Sequence, residues 1–243
     1  MVIRSTSGVT FTPEGKYLVQ CAQNMLKQMH TIENDVESFS KEMQGTINIG
    51  SSVLFIRYKL PDLLKGFSEK YPLVQYNIHT DLSRNIVDKM INNDIDIGFI
   101  RGEYDWLDKK ELLIEEDMYV VAKNKFTLKD LPKMRRIDYF SNRSLKVLIE
   151  KWWKENFDIA PQITVIIDKA DSCISFVENG LGYAVIPACA LRDMKNVYKI
   201  KMFNKLQKPL YRKTWMLYRE GSLNRRLIKE FVEFVQVWKL KQN

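Results

Sequence analysis

The chain has 243 residues, of which 45% are apolar and 28% are charged, and its formal net charge is +8. This balance is typical of a globular protein with a hydrophobic core, and no uninterrupted apolar run approaches the roughly 20 residues that cross a bilayer. The positive charge is compatible with a nucleic acid or an anionic ligand and specifies neither. Three scattered cysteines and the lack of an apolar leader favour a cytoplasmic protein with reduced thiols.

The first 45 residues predict a short ribbon followed by one long helix. Thr12 is a good N-cap residue, and Pro13 suits the first helical turn. Apolar residues then recur at alternating steps of four and three up to Gly45, which predicts a seam for a second helix. The seam residues are Leu18, Ala22, Met25, Met29, Ile32, Val36, Phe39 and Met43. A single amphipathic helix lying on its own domain is the alternative, but the length of the seam favours a partner helix from a second copy.

Strand and helix patterns alternate through the rest of the chain, which predicts an α/β fold with a parallel sheet. Strands are predicted at 46–50, 74–80, 94–100, 117–123, 137–140, 162–168, 183–187, 197–202 and 212–220. Helices are predicted at 60–71, 83–93, 144–157, 171–180 and 222–240. We expect two lobes in series, with the last strand and helix returning to the first lobe. The first lobe would comprise 46–120 and 210–243, and the second 121–209.

The sequence offers no pattern for catalysis, a metal or a nucleotide cofactor. Its two histidines, His30 and His79, do not form a ligand cluster with the scattered cysteines. The glycines at 180–182 follow a helix and precede a strand, which is typical of a C-cap turn rather than a dinucleotide loop. Ser51 and Ser52 lack the elbow motif of a nucleophile. We therefore expect no catalytic residue, no metal and no cofactor.

Several motifs resemble those of the LysR-type transcriptional regulators. The segment LPDLLKGFSEKYP (60–72) is similar to the family's L-P-x-L-L-x-x-F-x-x-x-Y-P helix. VENGLGYAVIP (177–187) is similar to V-x-x-G-x-G-I-a-l-l-P, and GTINIGSS (45–52) to the G-x-L-x-I-G entry of the effector domain. FTPEG (11–15) resembles the L-T-x-x-G that follows the family's DNA-binding wing, with phenylalanine in place of leucine. The motifs occur in the family's order and cover essentially the whole chain.

This resemblance implies a two-lobed effector domain of the periplasmic-binding-protein-like type 2 fold, preceded by a dimerising linker helix at 16–45. Residues 1–15 resemble the remnant of a winged helix-turn-helix, so most of the DNA-binding domain is expected outside this chain. The implied protein is a homodimer or homotetramer that senses a small-molecule effector, binds DNA through that domain and has no membrane partner.

The effector is expected at the carboxyl ends of the strands, where two lobes form a cleft. Hydroxyls and free N–H groups at the helix that follows strand 46–50 suit an anion, and the guanidinium of Arg101 would pair with a carboxylate. The predicted effector-binding residues are Ser51, Ser52, Val53, Leu54, Phe55, Ser83, Arg101, Ser141, Asn142, Asp171 and Pro187.

Each of these predictions has an alternative. Ser51 and Ser83 would otherwise cap helices, and Asn142 would start a helix. Leu54 and Phe55 would belong to the core, and Arg101 would be an exposed turn residue. The basic stretch 192–213 is interpreted as the solvated face of a strand. The rival functions are a solute-binding protein of the same design and an enzyme on a similar two-lobed fold.

Overall fold

A computed structural model describes residues 1–5, 8–37, 42–139, 143–168 and 170–240. The chain begins with an antiparallel ribbon of β1 (Val2–Ser5) and β2 (Gly8–Phe11), followed by helix α1 (Pro13–Glu37). The predicted N-cap is confirmed, because Thr12 Oγ1 accepts a hydrogen bond from the Gly15 N–H at 3.1 Å. Within the described ranges, no helix combines the length and apolar character needed to cross a membrane.

The helix stops earlier than the sequence pattern predicts. Strand β3 starts at Gln44, so the expectation that the helix reaches Gly45 was wrong. Gly45 has φ 122°, a conformation outside the helical region, and it pairs with Val74 in the sheet. Met43, predicted in the seam, is 9% exposed and packs in a core instead. Phe39 and the other residues at 38–41 lie outside the described residues.

The elements after α1 alternate as the sequence predicts, and the α/β fold class is confirmed. In chain order they are β3 (Gln44–Ser51), α2 (Val53–Tyr58), α3 (Leu60–Lys70), β4 (Leu73–Thr80), α4 (Ser83–Ile91), β5 (Ile97–Arg101), β6 (Lys109–Ala122), β7 (Arg135–Tyr139), α5 (Arg143–Asn156), β8 (Gln162–Ile167), α6 (Ala170–Glu178), β9 (Ala184–Pro187), β10 (Tyr198–Lys201), β11 (Tyr211–Tyr218) and α7 (Arg226–Leu240). Short 3-10 helices span Leu128–Lys133, Ala188–Asp193 and Glu220–Asn224.

The main sheet has the strand order β10-β6-β11-β5-β3-β4, and β9 also pairs with β6. Strand β3 is parallel to β4 and β5, whereas β11 is antiparallel to β5 and β6. The parallel arrangement predicted for the first three strands is therefore present, and the later strands make the sheet mixed. The last strand inserts between β5 and β6, so the end of the chain returns to the first part of the sheet.

The first hydrophobic core lies between this part of the sheet and helices α2, α3 and α7. Phe67 of α3 is fully buried, with its ring centroid 5.0 Å from that of Phe231 and 5.3 Å from that of Phe234 on α7. Burial of one such ring stabilises the fold by roughly 1.5–3 kcal/mol. These aromatic contacts fix the C-terminal helix against the N-terminal half of the domain.

Replacing Phe67 by alanine is expected to lower the free energy of unfolding by about 3–5 kcal/mol, because it leaves a cavity at this junction. Denaturant unfolding followed by circular dichroism measures the change. The matched control is Phe11→Ala on the ribbon, where the ring is 51% exposed and the expected change is within about 0.5 kcal/mol. Equal effects of the two substitutions would contradict the packing described.

A second hydrophobic core lies around β7, β8, β9, α5 and α6. Trp153 stacks on Tyr183 with 6.4 Å between ring centroids, and both rings are almost completely buried. The long strand β6 contributes to both cores: Leu113 and Ile114 pack in the first, and Met118 and Val120 in the second. The change of core therefore falls within β6, a few residues before the boundary predicted after residue 120.

Candidate functional site

A cavity of about 90 Å³ lies between the two cores, beyond the carboxyl ends of β3, β4 and β5. Tyr139 and Leu145 on one wall belong to the second core. Val53 and Leu54 on the other wall lie on α2, which packs against the first core through Phe55. The lining residues are Ser52, Val53, Leu54, Asp81, Leu82, Ser83, Arg101, Tyr139, Leu145, Pro187 and Arg212.

Two serines at helix starts supply hydroxyls on the cavity wall. Ser52 is extended, with φ −67° and ψ 146°, immediately before α2, and its side chain makes no capping bond. Its Oγ is buried and has no hydrogen-bond partner among the described residues. Ser83 is the first residue of α4 rather than its N-cap, which is Leu82, so the capping alternative for Ser83 was wrong. Its Oγ accepts the Arg101 N–H at 3.0 Å and so joins α4 to the end of β5.

Arg101 is the last residue of β5 and is only 5% exposed, so the alternative of an exposed turn residue was wrong. Its guanidinium forms an ion pair with Glu116 of β6, and Nη1 contacts Cys189 Sγ at 3.9 Å. Burial alone would lower the pKa of Arg101, but Glu116 and the other buried acidic groups nearby outweigh burial and raise it. Most of the charge of Arg101 is therefore balanced within the protein.

Arg212 is a second buried guanidinium at the cavity, and the sequence interpretation missed it. Its Nη1 donates to Ser144 Oγ and its Nη2 to the Arg101 carbonyl, both at 3.0 Å. Burial, followed by repulsion from Arg101, lowers the pKa of Arg212 to about 10. The group is still cationic at neutral pH, and an anion beside it would offset the cost of burying its charge next to Arg101.

The solvated face predicted for the basic stretch 192–213 is therefore wrong at Arg212. The side chain of Lys213 is 42% exposed, whereas Arg212 is 6% exposed and shares a strand face with the buried Thr214 and Met216. The period of two along β11 places Arg212 on the inner face, and this was the available signal. That signal is hard to see in the sequence because Arg212 and its neighbour Lys213 are both basic, so charge alone does not show which of the two is buried.

Two other predicted residues, Ser51 and Phe55, do not line the cavity. Ser51 is fully buried and donates a hydrogen bond to the Ser52 carbonyl at 3.3 Å. Phe55 stacks on Phe99, with 4.8 Å between ring centroids, so the core alternative holds for Phe55. Ser141 and Asn142 lie outside the described residues, as does the side chain of Asp171. The sequence also did not predict lining roles for Asp81, Leu82, Tyr139, Leu145 and Arg212.

Other polar groups of the cavity are engaged in hydrogen bonds within the protein. Asp81 accepts hydrogen bonds from the Leu82 N–H at 2.7 Å and from Asn85 Nδ2 at 2.8 Å, so its charge is engaged on α4. Burial raises the pKa of Tyr139, which keeps its hydroxyl protonated and donating to the Val185 carbonyl at 3.2 Å. Among the described residues, no group of three histidine, cysteine or acidic side chains is placed to hold a metal ion.

Comparison with known proteins identifies the family. The sequence profile of the LysR substrate binding domain matches residues 40–239. The chain belongs to the LysR family. This LysR-family protein is 35% identical over 229 residues to the uncharacterized HTH-type transcriptional regulator YraN of Bacillus subtilis, a match that covers 94% of this chain and 79% of YraN. It is 26% identical to YkuM of the same organism, over 96% of this chain and 80% of YkuM.

Solved structures confirm the fold of this LysR-family protein. Full-length CbnR in complex with its target DNA superposes with a TM-score of 0.71 at 15% identity, covering 94% of this chain and 82% of CbnR. The effector-binding domain of QuiR in complex with shikimate gives a TM-score of 0.67 at 16% identity, covering 82% of this chain and 99% of QuiR. The predicted family and the two-lobed periplasmic-binding-protein-like fold are confirmed. The chain is the effector-sensing part of a transcriptional regulator.

Proposed function

We propose that the cavity between the lobes binds a compact anionic effector, such as a small carboxylic acid or an oxyanion. The observation that carries this proposal is a pair of buried guanidinium groups, those of Arg101 and Arg212, that line the same cavity. A planar guanidinium binds a carboxylate through two parallel hydrogen bonds. An anion here would also reduce the repulsion between Arg212 and Arg101. This reduction raises the affinity of the anion for the site.

The serine hydroxyls support the same ligand class. The buried Ser52 Oγ makes no hydrogen bond to a described residue, so it is available to an anion. Ser83 Oγ accepts the Arg101 N–H and can direct its own hydrogen into the cavity. The cavity volume is about 90 Å³. A compact anion fits this geometry, and a larger effector requires the two walls to separate.

The regulator acts by a change in lobe geometry and not by catalysis. An anion that contacts both walls binds best when the walls are close, and so it shifts the population towards that arrangement. The lobe boundary that fits the packing lies between Ile114 and Met118, with the chain returning to the first lobe at about residue 210. As a regulator of transcription, the protein acts in the cytoplasm, as a homodimer or homotetramer.

Helix α1 provides the surface for that oligomer. Most of the predicted seam side chains are exposed in the single chain: Leu18 by 46%, Met25 by 67%, Met29 by 58% and Ile32 by 61%. A partner helix from a second copy would cover this face with knobs-into-holes packing. The side chain of Val36, which would extend the seam, lies outside the described residues.

The test of the ligand class is calorimetric titration with formate, glyoxylate, oxalate and inorganic phosphate at constant ionic strength. Formamide and oxamide, which match formate and oxalate in shape without their charge, are the control ligands. We expect at least one anion to bind at least about tenfold more tightly than the amides, the effect of a hydrogen bond to a charged group. Ser52→Ala should weaken the binding of that anion by about tenfold. The proposal fails if no anion binds, or if anions and amides bind alike.

A further inference from the structure

A second set of contacts joins the two sides of the molecule away from the cavity. Tyr58, the last residue of α2, donates its hydroxyl hydrogen to Asp193 Oδ2 at 2.8 Å. Arg57 Nη2 lies 2.8 Å from the same carboxylate oxygen. Arg192 Nη1 donates to the Tyr58 carbonyl at 3.5 Å. Two adjacent side chains of α2 therefore converge on one carboxylate at the end of the 3-10 helix Ala188–Asp193.

The two elements joined in this way pack in different cores and share the cavity. Helix α2 packs in the first core through Phe55, and the 3-10 helix packs in the second core through Ala190. Val53 at the start of α2 lines one wall of the cavity, and Pro187, just before the 3-10 helix, lines the facing wall. A contact between the far ends of these two short elements fixes the distance between the walls at their near ends.

We infer that Arg57, Tyr58 and Asp193 form a latch that holds the two cavity walls at the spacing seen here and thereby sets the affinity for the effector. These are positioning residues, since none of them lines the cavity. The inference rests on the proposed function for its effect on ligand affinity, but the closure of the walls is a property of the protein alone. Nothing in the family resemblance assigns a role to these three positions.

The hydroxyl contact is the stronger part of the latch. Tyr58 is 7% exposed, so little water competes for its hydrogen bond to Asp193. Burial, with the bond to Asp193, raises the pKa of Tyr58, so the hydroxyl remains a donor at neutral pH. The side chains of Arg57 and Asp193 are 44% and 39% exposed, so salt screens their ion pair and its contribution is small. We therefore expect Tyr58→Phe to loosen the latch more than Arg57→Met.

Loss of the latch increases the fraction of molecules with separated walls. The apparent affinity for a ligand that needs both walls falls by the same factor as the population of the closed form. For Tyr58→Phe and Asp193→Ala we expect a three- to tenfold loss of affinity, carried mainly by faster dissociation. The double variant should lose no more than Asp193→Ala alone, because both single changes break the same contact.

Hydrogen–deuterium exchange of the full chain without ligand tests the closure directly. In Asp193→Ala and Tyr58→Phe, amides of residues 52–59 and 188–194 should both exchange faster than in the wild type. The control is Asp158→Ala, which removes an exposed carboxylate elsewhere in the second lobe and should change neither segment. Faster exchange in only the segment that carries the substitution would overturn the latch, because the two segments would then open independently.

Calorimetry with formate, glyoxylate, oxalate and phosphate tests the effect on affinity in the same variants. Three- to tenfold weaker binding of an anion, together with faster exchange in both segments, supports the inference. Unchanged affinity with faster exchange in both segments would overturn it, since the contact would not set the affinity. If the wild type binds none of the four anions, the proposed function fails, while the exchange experiment alone decides whether the latch closes the walls.

Discussion

Replacement of Arg212 by methionine is expected to weaken the binding of a compact anion by at least about 30-fold. Removing one partner of a buried charge pair costs about 2 kcal/mol or more, which corresponds to that factor. Methionine replaces the unbranched apolar stem of the arginine side chain and removes its guanidinium, so most of the cavity wall is retained. Calorimetric titration of the wild type and the variant at constant ionic strength gives the ratio of dissociation constants.

The neighbouring residue of β11 provides the matched control. Lys213→Met removes the same charge from the same strand, but its side chain is 42% exposed and lies near Glu115, with 3.6 Å between charged atoms. Both substitutions change the net charge by the same amount. If Arg212 contacts the anion directly, Arg212→Met should weaken anion binding, whereas Lys213→Met should change it by less than about twofold. Equal losses in the two variants would show that anions respond to net charge alone, and the assigned role of Arg212 would be wrong.

Arg101 does not offer an equally clear test, although the sequence indicates it as the cation of the site. Its removal would leave Glu116 buried without its ion-pair partner, which typically destabilises a protein by about 3–5 kcal/mol. A loss of binding in Arg101→Met would then combine misfolding with the missing contact. Arg212→Met removes a repulsion with Arg101 together with hydrogen bonds that include those to Ser144 Oγ and the Arg101 carbonyl, so a smaller change in unfolding free energy is expected.

The sequence predicts most of the fold because the apolar periodicity reflects burial directly. Where a strand contains many charged residues, that signal is lost. Strand β6 begins at Lys109, whereas the pattern predicts a strand only at 117–123. The segment 109–116 is rich in lysine and glutamate, yet it pairs with β11 along its length. Leu113 and Ile114 are buried in the first core, but the lysines and glutamates around them interrupt the alternation of apolar and polar residues that predicts a strand.

The candidate site was harder to predict than the fold because it depends on which residues, distant in the sequence, contact one another. Ser52, Ser83 and Arg101, which follow strand ends in the sequence, line the cavity, and their role in effector binding stays a prediction. The sequence does not reveal that Glu116 pairs with Arg101, since this depends on the register of β6 beside β11 and β5. The same register brings Arg212 to the Arg101 carbonyl. Which arginines line the cavity is therefore a property of the tertiary structure.

The seam of α1 carries the second large expected effect. Replacing both Met25 and Ile32 by glutamate should raise the dissociation constant of the homodimer at least about 100-fold. Each buried apolar side chain contributes roughly 1.5–3 kcal/mol, and the glutamates would add repulsion between the two copies. Sedimentation velocity over a concentration series measures the change, with dimers or tetramers expected for the wild type and monomers for the variant.

Charge alone must be separated from loss of the seam. Gln20 and Gln23 lie on the same helix outside the seam, and their replacement by glutamate introduces the same charge. This control variant should keep the association of the wild type, because its glutamates stay in water. The exposed seam side chains, Met25 at 67% and Ile32 at 61%, gain burial only from a second copy. A wild-type chain that sediments as a monomer at all concentrations would mean that α1 does not pair, and signalling between copies would need another surface.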